Sequence, residues 1–115
     1  MADAGRYSYE GLARVMHEKA RLSILTALAA HPDGLLFGDL KALCSLTDGN
    51  LARHLQALKE AELIEVWKQS RATLCRMSEI GREQFDAYLA ELERVVRDAA
   101  PRPSKGTDLS GWSVA

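Results

Sequence analysis

The sequence has few of the features that mark secreted, membrane or zinc-binding proteins. Only two of its 115 residues are cysteines, and they form no CxxC pair, which excludes a disulfide framework and a four-cysteine zinc site. No apolar run is long enough to cross a bilayer, and no apolar stretch of a secretion signal follows Arg6. We therefore expect a cytoplasmic protein that binds no metal or other cofactor and does not enter a membrane.

The recognisable catalytic motifs are missing too. The chain contains no Gly-rich phosphate loop, no HExxH and no nucleophile elbow, and these are the motifs by which common enzyme sites show themselves in a sequence. Hydrophobic residues make up 47% and charged residues 27% of the chain, as in a globular domain. We therefore expect one folded domain that is not an enzyme.

The net charge of −1 conceals an uneven distribution of charge along the chain. Basic side chains without acids occupy two segments, Gly49–Lys59 and Val66–Ser78, whereas Glu79–Asp98 carries six acids against three arginines. The local field, rather than the net charge, decides whether a polyanion can dock. The two basic segments indicate either a nucleic-acid surface or an ordinary mixed solvated surface.

Hydrophobic periodicity and turn residues divide the chain into seven elements. The predicted helices and strands are helix Tyr9–Ala30, strand Leu35–Phe37, helix Asp39–Leu46, helix 48–61, strand Leu63–Trp67, strand Ala72–Met77 and helix Glu79–Asp98. Thr47 or Asp48 can cap the third helix and Ser78 the fourth. The predicted fold is mainly α with a small β-ribbon, in the order α-β-α-α-β-β-α. It occupies residues 1–98, and we expect 99–115 to be a disordered tail.

Two helices joined by a tight turn and followed by a two-stranded ribbon form a winged helix-turn-helix. Residues Leu46–Ala61 (LTDGNLARHLQALKEA) resemble the recognition helix of small winged-helix regulators related to the MarR and ArsR groups. Arg21–Leu28 and Met77–Arg82 resemble the R-x-x-I-L-x-x-L and L-T-x-x-G-R motifs of that superfamily. The resemblance extends over about Val15 to Asp98.

The resemblance implies a homodimeric DNA-binding regulator, with repression as the commoner mode of action. Helix 48–61 would enter the major groove, and the wing at 67–73 would contact the DNA backbone. One departure is Glu62, which stands where the family usually has glycine. A left-handed conformation at this residue would cost on the order of 1 kcal/mol.

The polar face of the third helix supplies the candidate DNA contacts. Arg53 suits guanine, and Asn50 or Gln56 suits adenine. Thr47, Asn50 and Lys59 are candidates for phosphate contacts, as are Lys68 and Arg71 unless the wing tip is only a solvated turn. The full predicted set is Thr47, Gly49, Asn50, Arg53, His54, Gln56, Lys59, Lys68 and Arg71. For His54, a buried or locally hydrogen-bonded position is an equal alternative.

A broad apolar stripe on the last helix predicts a dimer interface, because a monomer would leave part of it exposed. The predicted interface residues, from the first and last helices, are Leu12, Val15, Met16, Phe85, Tyr88, Leu89, Leu92, Val95 and Val96. A small-molecule effector is left open, in an apolar pocket at the dimer interface with Tyr7, Tyr9, Met16 or Tyr88 as candidate lining residues. Cys44 and Cys75 are read as core residues, with redox sensing as the alternative.

The fold alone does not decide the function, because winged helices also serve as protein-interaction modules. A small and basic outer face on the third helix favours DNA, whereas an apolar face favours a protein partner. Gly49, Asn50, Arg53 and Ala57 favour DNA, and Glu60 opposes it. The sequence therefore predicts a double-stranded DNA-binding regulator, with a protein-interaction module as the alternative.

Overall fold

Within residues 5–115, four helices and three strands follow one another in the predicted order α-β-α-α-β-β-α. The structure, a computed structural model, describes residues 5–115, so residues 1–4 of the predicted domain lie outside the described part. The elements are α1 Lys19–Ala30, β1 Leu35–Leu36, α2 Phe37–Cys44, α3 Asp48–Glu60, β2 Ile64–Gln69, β3 Ala72–Met77 and α4 Glu79–Ala99. This arrangement confirms the winged helix-turn-helix class.

The first helix is shorter than predicted. It begins at Lys19 and not at Tyr9, because Glu18 has an extended backbone and residues 9–18 form turns. These residues belong to an N-terminal arm (residues 5–18) that packs along α4. Met16 is 1% exposed within the core, and the Tyr9 hydroxyl donates to Asp98 at 3.1 Å. Tertiary contacts therefore override the helical periodicity in this segment.

The turn between α2 and α3 sets the start of the third helix. Ser45 adopts a left-handed conformation (φ 54°) that ends α2 at Cys44, two residues before the predicted end. The amide of Leu46 then donates to the Lys41 carbonyl. Thr47 is the cap of α3, since its Oγ1 accepts from the Asn50 amide at 3.2 Å. Of the two candidates for this cap, the structure selects Thr47 rather than Asp48.

The three strands form an antiparallel sheet in the order β1-β3-β2. Leu35 and Val66 both pair with Cys75, which is fully buried, so this face of the sheet packs on the helices. β2 continues to Gln69, two residues beyond the predicted strand, and Ser70 (φ 53°) makes the turn at the tip. Lys68 therefore lies in the strand, and Arg71 lies in the turn.

The last helix is anchored at its first turn. The Ser78 hydroxyl accepts from the Gly81 amide at 2.8 Å, which confirms the predicted cap. A side chain at position 81 would collide with the Leu63 carbonyl oxygen. Glycine at this point lets α4 approach the start of β2 more closely than any other residue could. α4 then runs to Ala99, and residues 100–115 contain no helix or strand.

One hydrophobic cluster joins all four helices, the sheet and the N-terminal arm. Its buried members are Met16, Ile24, Leu25, Leu28, Leu40, Leu51, Leu55, Leu58, Leu63, Ile64, Cys75, Phe85 and Tyr88. Met16, Phe85 and Tyr88 are each 1% exposed. The prediction that these three residues contribute to an exposed interface is therefore wrong, because the protomer's own core covers them.

Glu62 does adopt the left-handed conformation that the missing glycine would suit, with φ of 62°. It follows the end of α3 in a Schellman motif. Its amide donates to the Lys59 carbonyl at 2.9 Å, and the Leu63 amide donates to the Leu58 carbonyl at 3.0 Å. The backbone hydrogen bonds are thus made, and the side chain adds steric strain to the turn.

We expect Glu62→Gly to raise the free energy of unfolding by about 0.5–1 kcal/mol, since relief of left-handed strain outweighs the added freedom of the unfolded chain. Urea unfolding would measure this change. Glu62→Ala is the control, because it removes the carboxylate and keeps the Cβ. An equal gain from both substitutions would show that charge, and not backbone strain, destabilises the turn.

Candidate nucleic-acid interface

Burial of one face of α3 exposes the opposite face. Leu51 and Leu58 are fully buried and Leu55 is 5% exposed. At 100° per residue the far side of the helix must point to solvent. The exposed residues there include Asn50, Arg53, Gln56 and Lys59. The structure thus brings four of the predicted DNA contacts onto one helical surface, which we call the recognition face.

Thr47 and Asp48, at the start of α3, are exposed, but their side chains already make bonds within the protein. The Thr47 hydroxyl caps the helix, and the Asp48 carboxylate pairs with the Lys41 ammonium at 2.9 Å. A side chain at Gly49 would meet no atom within 4 Å, so this position is open to a close-approaching partner. Positive helix-dipole charge at this end favours an anion such as phosphate.

The acid on the recognition face has a partner within the helix. The Gln56 amide donates to the Glu60 carboxylate at 3.0 Å across one turn. This bond occupies one N–H of the Gln56 amide, which is then not free to bind a ligand. It also partly screens the negative charge of the Glu60 carboxylate. Arg53 is exposed near the middle of the helix and Lys59 near its end, so two cations on the recognition face stand against this one acid.

His54 does not belong to the recognition face. It is 2% exposed, so it is not available to bases in a groove, and the prediction of a direct DNA contact is wrong. The alternative of a buried histidine is confirmed, but its bonds are made to residues at the start of α1 and not locally. Glu18 Oε1 lies 3.3 Å from its Nε2, and Arg21 Nε donates to its Nδ1 at 3.4 Å. Because Glu18 and Arg21 lie more than 30 residues before His54, no sequence motif indicates this cluster.

The wing presents two exposed cations and one that is paired. Lys68 and Arg71 are exposed, whereas Arg76 contacts Glu65 across the ribbon at 2.8 Å. Hydrogen bonds from Arg76 and then Trp67 hold the pKa of the Glu65 carboxyl below its ordinary value. Arg76 is therefore neutralised locally, and Lys68 and Arg71 remain as the wing's candidate phosphate contacts.

The apolar stripe of α4 is divided between the core and solvent. Leu89 is 38% and Val96 is 72% exposed, in contrast to buried Phe85 and Tyr88. Leu92 and Val95 are half-buried. Leu89, Leu92 and Val96 line an open groove of about 480 Å³ with Glu93 and Arg97 at its sides. Leu12 and Val15 lie in the N-terminal arm and are half-buried against the core.

The four residues proposed for an effector pocket do not line a common opening. Met16 and Tyr88 are buried, and burial raises the pKa of the Tyr88 hydroxyl. Tyr7 is 58% exposed, whereas Tyr9 bonds Asp98 and lies under the Arg94 guanidinium. The cavity beside the arm holds about 520 Å³ and is lined by Gly5, Arg6, Ser8, Glu10, Gly11, Glu91, Arg94 and Asp98. It is polar, unlike the predicted apolar pocket.

The fold and the exposed helix together define a winged helix-turn-helix protein with a polar recognition helix. A family profile described as a winged helix DNA-binding domain matches residues 20–96, which is more than half of the chain. The chain belongs to this family. No curated protein sequence matches it. Across residues 5–115, no helix combines the length and hydropathy that a membrane crossing requires.

Solved structures of transcriptional regulators share the fold. A transcriptional regulator homologue from Pyrococcus horikoshii OT3 is 22% identical, with a TM-score of 0.73 over 77% of this chain and 91% of that one. MepR of S. aureus in complex with DNA is 18% identical, with a TM-score of 0.67 over 77% and 75%. NadR with bound 4-hydroxyphenylacetate is 20% identical, with a TM-score of 0.64 over 76% of this chain and 64% of its own.

We expect both thiols to react slowly with iodoacetamide in the native protein. Burial raises the pKa of Cys75 and of Cys44, so less of each is thiolate at pH 8 than in a free thiol. Cys75, fully buried in β3, should be the slower of the two, and both rates should rise with pH. Mass spectrometry of native and urea-unfolded protein, with Cys44→Ser and Cys75→Ser variants, assigns each rate. Rapid native alkylation of Cys75 would contradict this prediction and favour redox sensing.

Proposed function

We propose that this protein is a sequence-specific double-stranded DNA-binding transcriptional regulator that acts as a homodimer. The observation that carries the proposal is the recognition face of α3, which is exposed and polar, with Arg53 near its middle, while the other face of the helix is buried. A helix with these properties fits the major groove. The family match and the DNA complex of the similarly folded MepR support the same conclusion.

Within this proposal the exposed residues divide into base-reading and positioning contacts. Arg53 presents a fork of donors suited to guanine, and Asn50 or the free side of Gln56 suits adenine. Thr47 and Lys59 contact phosphate, as do Lys68 and Arg71 on the wing. Gly49 lets the DNA backbone approach the start of α3 closely, because no side chain stands there.

The dimer is formed by α4. The exposed groove of Leu89, Leu92 and Val96 recurs at three- and four-residue spacing, which is the pattern that pairs one helix with another. A two-fold pair of recognition helices about 34 Å apart reads a palindromic site. Repression would follow from such binding where the site overlaps a promoter.

A protein-interaction module remains the second candidate, and one observation favours it. Leu36, Leu74 and Trp67 pair in register across the three strands. On the outer face of the sheet, Trp67 is 55% and Leu36 is 47% exposed. An exposed apolar row of this kind can bind another protein. The DNA-binding measurement below discriminates between the two functions.

We expect Arg53→Ala to lower affinity about tenfold or more for a duplex that the wild type selects from a randomised pool, because one bidentate base contact is worth about 1–3 kcal/mol. Affinity for a shuffled duplex should change much less. Fluorescence anisotropy measures both affinities at salt concentrations from about 50 to about 200 mM, over which phosphate contacts change the affinity strongly.

The same titration tests the wing. If Lys59, Lys68 and Arg71 of both subunits neutralise about six phosphates, the slope of log K against log salt is about −5. The double variant Lys68→Ala/Arg71→Ala should reduce its magnitude by about 3–4 and weaken both duplexes alike. Absence of binding to any duplex at low salt would contradict the proposed function and favour a protein-interaction module.

We expect Leu89→Glu and Val96→Glu to convert the dimer to a monomer, since each buries a carboxylate in an apolar contact. Sedimentation equilibrium at roughly tens of micromolar protein measures this change in oligomeric state. Leu109→Glu is the control, because Leu109 is also exposed (64%) but lies beyond α4. A wild-type monomer at that concentration would exclude the α4 dimer.

A further inference from the structure

The chain beyond α4 holds a hydrogen-bonded turn with two exposed apolar side chains. The Trp112 amide donates to the Leu109 carbonyl at 2.9 Å, and the Asp108 carboxylate accepts from the amide and the hydroxyl of Ser110 at 3.0 and 3.1 Å. A turn closed by such a bond brings its first and fourth residues within about 7 Å. Leu109 is 64% and Trp112 is 73% exposed. This apolar turn (residues 108–112) therefore presents a leucine and a tryptophan close together, outside the hydrophobic cluster.

An apolar groove at the start of α4 is open to such a pair of side chains. It holds about 410 Å³, and it is lined by Leu28, Ala29, Pro32 and Met77 together with Glu79 and Arg82 of α4. The Arg82 guanidinium donates to the Ala29 carbonyl at 3.1 Å. This bond joins the end of α1 to the first turns of α4, so the groove is already formed in the single chain.

This groove lies on the side of α4 through which two copies are proposed to pair. Arg82, Leu89 and Val96 are seven positions apart and all exposed. Seven residues of an α-helix make nearly two full turns, so the three side chains share one side of the helix. The groove at the start of α4 thus continues the surface formed by Leu89, Leu92 and Val96.

Charge on this surface favours an antiparallel pair of α4 helices. Glu93 and Arg97 both line the groove of Leu89, Leu92 and Val96. In a parallel two-fold pair each residue stands level with its own copy, so like charges face each other. Antiparallel helices can set Glu93 level with the partner's Arg97, and opposite charges across an interface fix its register. Ala99 then stands level with the partner's Glu91.

From Ala99 the groove of the second copy is nearer than the groove of the same chain. The partner's Arg82 is nine residues further along its helix, or about 14 Å, and packed helices lie about 8–10 Å apart. Arg82 of the same chain is seventeen residues back, or about 26 Å. Ten residues lead from Ala99 to Leu109, and a flexible chain of that length spans roughly 17 Å. The tail therefore matches the distance to the second copy's groove, which gives that contact the higher effective concentration.

We propose that the apolar turn of each protomer docks into the groove at the start of α4 of a second copy, so that the dimer exchanges its tails. The proposal rests on the α4 dimer of the proposed function but not on DNA binding. Trp112 is the anchor, since a tryptophan that fills an apolar pocket contributes strongly to an interface. The exchanged tails join each α4 to the partner's α1 and so limit rotation of the two recognition faces relative to each other.

The test follows the environment of Trp112. The chain has two tryptophans, so Trp67→Phe leaves Trp112 as the reporter, and sedimentation equilibrium of this variant gives the concentrations at which monomer and dimer predominate. As the dimer forms, Trp112 emission should move to shorter wavelength and its quenching constant for acrylamide should fall severalfold. Leu109→Glu leaves the α4 groove intact, so it should raise the quenching constant again while the dimer persists at roughly tens of micromolar protein.

Substitutions at Pro32 test the groove. Pro32 is exposed and lines the groove from outside α4. Pro32→Glu places a carboxylate against the apolar turn, so Trp112 should be quenched in the dimer as strongly as in the monomer. Pro32→Ala is the matched control, because it also removes the proline but keeps the groove apolar, and Trp112 should stay protected. Thermal unfolding of both variants checks the fold.

Mixed dimers show whose groove is filled. The Trp67→Phe reporter is combined with an excess of a tryptophan-free partner, Trp67→Phe/Trp112→Phe/Pro32→Glu. Most reporter chains then face an altered groove while their own groove is intact, and Trp112 should be accessible to acrylamide. The same excess of Trp67→Phe/Trp112→Phe should leave it protected. Protection in both mixtures would show that the turn docks on its own chain, which overturns the proposal.

The outcomes separate this proposal from the proposed function. A dimer in which Trp112 is quenched as strongly as in the monomer overturns the exchanged tails alone, and so does protection that survives Pro32→Glu. A wild-type monomer at roughly tens of micromolar overturns the α4 dimer and the exchange together. Failure to bind any duplex, with Trp112 protected in the dimer, overturns the DNA-binding function and supports the exchanged tails.

Discussion

The burial of Leu51, Leu55 and Leu58 is the interaction on which the rest of the structure depends. These leucines bind α3 to the core, and because a helix has only one face opposite its buried one, they also decide which side chains reach solvent. The same packing brings His54 next to Glu18 and Arg21 of α1. The amphipathic pattern of this 13-residue helix therefore determines both how α3 stabilises the fold and which residues form the recognition face.

The N-terminal arm has a comparable effect on α4. Met16 enters the core, His17 lies 2.9 Å from the Tyr88 hydroxyl, and Tyr9 bonds Asp98 near the far end of the helix. These contacts cover one side of α4 and leave Leu89 and Val96 exposed. The arm thus divides a broad apolar stripe into a part that stabilises the fold and a part that remains exposed.

Local chemistry made most of the elements predictable. Thr47 and Ser78 are cap residues, Ile64, Val66 and Trp67 favour a strand, and a Pro-Asp-Gly turn precedes β1. Each of these boundaries therefore has a cause within a few residues. Glu62 shows the same principle, since a missing glycine predicts a left-handed strain that the structure contains. Tyr9–Glu18 was predicted wrongly because its periodicity is helical, while its partners lie about 80 residues away on α4.

The sequence by itself determined the order of the elements, the apolar and polar faces of α3, and the exposed basic residues of the helix and wing, because these follow from periodicity and residue type. Only the tertiary structure decided which apolar residues the protomer buries and what surrounds His54. The physical reason is distance along the chain. Met16 and Tyr88, like Glu18 and His54, become neighbours only when separate elements pack, and no local preference encodes that contact.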